Sequence, residues 1–102
     1  MENLNKEIIL ETLHKNKTKI KKFGVKKLIL FGSYARDEQK KTSDIDLLVE
    51  FEKGRGLFDD YVGLLHLLED TFNKKIDLGK THLVREELKE EILGGVQYAA
   101  QI

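Results

Sequence analysis

The chain has 102 residues, 40% of them hydrophobic and 35% charged, and its 18 basic residues balance its 18 acidic ones. That length fits one domain, residues 1–102, and the even charge speaks against a chain built to grip long nucleic acid, which needs a basic surplus. The absence of Cys removes disulfides and thiolate metal sites, and neither an apolar signal core after Met1-Glu2-Asn3 nor a run of roughly 20 apolar residues is present, so a soluble cytoplasmic protein is expected.

From Leu4 to about Lys22, the positions Leu4, Ile8, Ile9, Leu13, Ile20 and Phe23 follow a helical period. Asn3 or Asn5 can cap its start and Gly24 can end it. Lys15, Lys17, Lys19, Lys21 and Lys22 read as its solvated face, at the end where cations suit the helix dipole. Val25 to Phe31 reads as a buried strand, with Leu28 to Phe31 an unbroken apolar run, and it stops at Gly32-Ser33. A helical turn through Tyr34-Ala35-Arg36, with Tyr34 buried under it, leads to a polar loop from Asp37 to Ser43. Asp44 to Glu50 alternates as a second strand and ends on Phe51. Lys53-Gly54-Arg55-Gly56 reads as a flexible loop. Phe58, Tyr61, Val62, Leu65, Leu68 and Phe72 form the stripe of a second long helix. Leu57, Leu64 and Leu67 widen its apolar arc beyond one buried face, which suggests an interface. Lys75 to Leu78 is a short third strand closed by Gly79. A last helix from about Leu83 to Leu93 breaks at Gly94-Gly95, before an apolar tail with Tyr98 that is a second interface candidate; packing of the two surfaces on each other, or a homodimer, is the plainer use of both. Three or more strands in a small mixed sheet packed with helices make an α+β or small α/β layer.

Residues two apart on a strand share a face, so Asp44 and Asp46 project together, away from Ile45, Leu47, Val49 and Phe51. Like charges so close raise one another's pKa unless a cation sits between them, and Mg²⁺ takes such oxygens together with substrate phosphate. Asp77, between Ile76 and Leu78, joins them if the third strand lies beside the second; otherwise the three are unrelated surface acids. Gly32 lets backbone approach a phosphate closely, and the N–H groups that follow, with the Ser33 hydroxyl, suit phosphate oxygens. Arg36 either meets a phosphate or ties the loop to a core acid. Ser43 reads as a turn-former, and Lys40 and Lys41 as solvated lysines or phosphate helpers.

The stretch Gly32-Ser33-Tyr34-Ala35-Arg36, with Ser43-Asp44-Ile45-Asp46-Leu47-Leu48-Val49 beyond it, resembles the signature of the minimal nucleotidyltransferases of the DNA polymerase β superfamily. Asp77-Leu78 is similar to that family's third acid. The family commonly has Gly after the Arg, where this chain has Asp37. The resemblance implies a polymerase-β-type nucleotidyltransferase fold and two Mg²⁺ ions held by Asp44, Asp46 and Asp77. It further implies ATP as substrate, its phosphates held by Gly32 and Ser33 with Arg36 nearby. Minimal members are similar to antitoxins that pair with HEPN toxins and transfer AMP to a toxin tyrosine. The resemblance therefore implies such a partner and activity, or a docking antitoxin without turnover, or the catalytic subunit of a small-molecule transferase.

Overall fold

A computed structural model describes residues 4–81 and 98–101. Asn5, in extended backbone, accepts the Ile8 N–H at 2.9 Å and caps α1 (Lys6–Lys15). The single helix expected to about Lys22 is instead two, because Asn16 breaks it before α2 (Lys17–Lys21). At the break the Asn16 N–H and its side-chain amide both donate to the Thr12 carbonyl, at 3.1 and 2.8 Å. Ile9, Leu13 and Ile20 nevertheless all reach the core. Gly24, at φ +77°, turns the chain into β1 (Val25–Phe31).

The rest follows as α3 (Gly32–Ala35), β2 (Ile45–Phe51), α4 (Phe58–Phe72), β3 (Ile76–Lys80) and β4 (Tyr98–Gln101). The sheet is mixed and has four strands, within the three or more expected, in the order β3-β2-β1-β4. β1 is antiparallel to both β2 and β4, and β2 is parallel to β3. Part of the apolar tail is thus an edge strand, while the helix expected from Leu83 to Leu93 lies outside the described residues. Gly79 does not close β3 but sits inside it, where a Cβ would come within 3.0 Å of the Leu48 side chain.

One face of the sheet presents Leu28, Leu30, Ile45, Leu47, Val49, Ile76 and Leu78 to a core shared with Ile9, Leu13 and Ile20. α4 adds Leu64, Leu68 and Phe72. Of the expected stripe, Leu68 and Phe72 are buried and Tyr61 and Leu65 pack against the core, but Phe58 is 77% exposed, as is Leu57, and Leu64, read as surplus to the stripe, is fully buried. Leu64 therefore cannot belong to a docking surface. The Phe23 ring packs where a Cβ on Gly63 would stand, so glycine lets it lie against α4 beside Leu64.

The 53–56 loop is tied down, contrary to the flexible loop expected. Arg55 bonds both Asp60 oxygens at 2.9 and 3.0 Å and the Lys22 carbonyl at 2.8 Å. The Gly56 N–H donates to Asp60 and its carbonyl accepts from Lys80 Nζ at 2.7 Å. No helix among the described residues is long and apolar enough to cross a membrane.

Candidate active site

The C-terminal end of β1 and the N-terminal ends of β2 and β3 meet at one end of the sheet. Strand register decides what they bring there. Asp46 is the direct partner of Phe31 on β1 and of Asp77 on β3, so the two carboxylates stand side by side on one face. Asp44, just before β2, is two residues earlier on the same side of the chain, and its charge is felt at Asp46. Further along, this face is apolar: Leu48 pairs with Ile29, and both are buried. The acids thus occupy only the strand start, against an apolar floor.

Asp46 is pushed up to about 6 from an ordinary 3.8. Burial is the largest cause, followed by the charges of Asp77 and then Asp44; Arg36 opposes them, and a hydrogen bond shared with Asp77 adds to the rise. Among the described residues no three acidic or imidazole groups are drawn together into a ready-made metal cage. The arrangement is a touching pair with a third acid on its flank. Such an open set matches the donor chemistry of Mg²⁺, which typically takes one or two carboxylates and completes its shell with water and substrate phosphate.

Gly32 stands directly against the Asp46 member of this pair. At φ +75° it occupies a backbone region that side chains rarely adopt, and a Cβ there would lie 3.0 Å from the Asp46 Cγ. Both facts require glycine. Ser33 follows in the first turn of α3, its carbonyl accepting the N–H of Arg36 at 3.2 Å and of Glu38 at 2.9 Å, which folds the turn back on itself. Tyr34 is buried beneath it, as expected. Among the described residues, Arg36 bonds no core acid: its Nε donates to the exposed Glu38 at 3.2 Å. Its charge still reaches Asp46.

Asp37 has φ 57°, which accounts for glycine as the common choice at this position. Asp tolerates the conformation better than most residues, and here it also pairs with Lys6 at 3.2 Å. Ser43 is the turn-former expected, its Oγ accepting the Lys40 N–H at 2.9 Å. Sequence reasoning passed over Lys74 and Lys75. Lys74 Nζ donates to the Lys41 carbonyl at 2.9 Å, and Lys75 Nζ lies 4.0 Å from Asp44. The available signal was a Lys-Lys pair ahead of each acidic strand.

Comparison with known proteins gives a consistent result. Residues 9–99 match the Nucleotidyltransferase domain family. A Methanocaldococcus jannaschii relative, provisionally named a protein adenylyltransferase, is 49% identical over 72 residues, covering 71% of this chain and 76% of that one. Protein adenylyltransferase MntA of Thermococcus cleftensis is 33% identical over 87 residues, 85% of this chain and 86% of that one. A solved structure described provisionally as a minimal nucleotidyltransferase is similar at TM-score 0.70 and 31% identity, over 92% of this chain and 95% of that one. The MNT antitoxin complex with tri-AMPylated HEPN toxin from Shewanella oneidensis gives TM-score 0.54 at 21% identity, over 99% and 71% of the two chains; that likeness is one of fold alone.

Proposed function

This chain belongs to the nucleotidyltransferase family, and on that premise we propose that it transfers AMP from ATP to a tyrosine hydroxyl of a HEPN-type toxin, acting as its antitoxin. The observation that carries the proposal is the in-register Asp46–Asp77 pair beneath Gly32. It is a carboxylate floor under a glycine turn where backbone can approach a phosphate. The names of the similar proteins, an adenylyltransferase and an antitoxin on an AMPylated toxin, support the choice of reaction and partner.

Asp44, Asp46 and Asp77 would hold Mg²⁺, two ions in the full reading. When bound, the metal neutralises phosphate charge and lowers the pKa of an attacking hydroxyl. Gly32 and Ser33 hold the terminal phosphates through backbone N–H groups, orienting the α-phosphate without reacting with it. The acceptor oxygen forms a bond to the α-phosphorus as the bond to the β-phosphate oxygen breaks. Pyrophosphate departs and the hydroxyl proton is released. Arg36 supplies a positive charge near the floor that offsets part of the acids' repulsion. Burial of Asp46 against apolar Leu48 and Ile29 lowers the local dielectric and strengthens each of these interactions.

Co-expression with the product of a neighbouring HEPN-type gene, followed by intact mass analysis, tests the proposal. An added AMP on the partner is expected, lost on Asp46→Asn. A stable complex whose partner carries no AMP would replace it with neutralisation by docking.

A further inference from the structure

Each acidic strand is preceded by a pair of lysines: Lys40-Lys41 ahead of Asp44, and Lys74-Lys75 ahead of Asp77. The fold brings the two pairs together. Parallel pairing sets β2 beside β3, the Ile45 N–H donates to the Lys75 carbonyl at 3.1 Å, and Lys74 Nζ reaches the Lys41 carbonyl at 2.9 Å. Among the described residues, the only carboxylate within ion-pair distance of the four is Asp44, at 4.0 Å from a Lys75 side chain that is 76% exposed. So weak a pair leaves most of the positive charge of this cluster unbalanced.

The side of the site on which they stand is informative. Across the sheet the order runs from β1, which carries Gly32, through β2 with Asp46 to β3 with Asp77. In-line displacement puts the attacking and leaving oxygens on opposite sides of the phosphorus. With the pyrophosphate on the Gly32-Ser33 side, the acceptor approaches from the β3 side, where the lysines are. We propose that Lys40, Lys41, Lys74 and Lys75 form the acceptor-side rim of the active site and select a hydroxyl flanked by carboxylates on the protein partner. The inference rests on the nucleotidyltransferase reading and adds to it the chemistry of the acceptor.

Two synthetic tyrosine peptides are the probes, one with Glu and one with Gln on both sides of the tyrosine. Their binding is read by fluorescence anisotropy at low salt, in the presence of Mg²⁺ and a non-hydrolysable ATP analogue. The Glu peptide should bind the wild-type protein about ten-fold more tightly than the Gln peptide, and Lys40→Ala with Lys75→Ala should remove that preference. Both side chains are exposed, so the fold should tolerate the change. Affinity for the Mg-bound analogue, measured by calorimetry, should stay within about two-fold. Lys19→Ala with Lys21→Ala, exposed on α2 beside the opposite end of β1, removes the same charge away from the site and should leave peptide binding unchanged. Equal affinity for the two peptides overturns the inference, as does an equal loss in the α2 variant, which would mean unspecific attraction. A matching loss of nucleotide affinity would assign the lysines to the triphosphate instead. Failure of the wild-type protein to bind the Mg-bound analogue would sink the nucleotidyltransferase reading itself, a result separable from all of these.

Discussion

Asp46 makes the native protein sensitive to pH in an unusual direction for a carboxylate. The folded state holds its proton up to about pH 6, while the unfolded chain releases it near the ordinary value of 3.8. The native state therefore binds more protons between these values, and the contribution of this group to stability falls as pH rises across that window. Asp60 behaves oppositely: hydrogen bonds from Arg55 and the Gly56 N–H lower it to about 2, so its contribution is present above 3.8 and lost only as pH falls toward 2. Melts of metal-free Asp46→Asn should show a higher Tm than wild type at pH 7.5 and a flatter profile between pH 4 and 6. A lower Tm at pH 7.5 would make the acid a structural one. Gly32→Ala should destabilise by about 1–3 kcal/mol through its left-handed backbone alone. It should also abolish Mg-ATP binding, because the new methyl group displaces the Asp46 carboxylate; calorimetry reads this directly. Asp37→Gly relieves a positive φ but loses the ion pair to a partly buried Lys6, two effects of about 1 kcal/mol that offset. Its Tm should stay close to wild type.

Among the elements, α4 shows how much a wide apolar arc leaves undecided. The arc contained both the expected stripe and the residues that turned out to be buried, so its hydrophobic pattern admitted two phases. Leu68 and Phe72 belong to both, and Tyr61 and Leu65 of the expected stripe also pack against the core. Packing of Phe23 onto Gly63, a contact between distant parts of the chain, accompanies the phase adopted. Leu64→Ala should accordingly cost about 2–5 kcal/mol in denaturant unfolding, as removal of a fully buried leucine does. Leu57→Ser with Phe58→Ser should change stability by about 0.5 kcal/mol or less. These exposed residues also lie at the wrong end of the sheet to line the cleft. β2 carries the chain through 7 residues from the acidic end to theirs, a separation of roughly 20 Å at ordinary strand rise. The break at Asn16 was equally hidden, since Ile9, Leu13 and Ile20 keep nearly the same face whether or not the helix is continuous.

At the scale of the whole molecule, legibility follows the range of the interactions involved. The shared face of Asp44 and Asp46 and the need for Gly32 are local geometry, and both could be read from spacing. That Asp77 lies beside Asp46 depends on parallel pairing of β2 with β3, which alternation permits but does not dictate. β4 was missed because Tyr-Ala-Ala-Gln is short and carries little strand signal of its own; its pairing is set by the free edge of β1. The resulting sheet makes β2 an interior strand, with the acids at its start and core residues Ile45, Leu47 and Val49 along it. A ligand that neutralises the acids therefore acts on an element whose loss unfolds the protein. At 100 times its dissociation constant, Mg-ATP should stabilise the fold by about 2.7 kcal/mol, which for a domain of this size is a rise in Tm of about 10–20 °C. Protons and Mg²⁺ compete for Asp46, so the rise should grow between pH 5 and 7 as the carboxylate is freed. Asp46→Asn with Asp77→Asn should abolish it while leaving the metal-free melt cooperative. A Tm rise that persists in that double variant, measured by scanning calorimetry at several Mg-ATP concentrations, would place the nucleotide somewhere other than the Asp46–Asp77 floor.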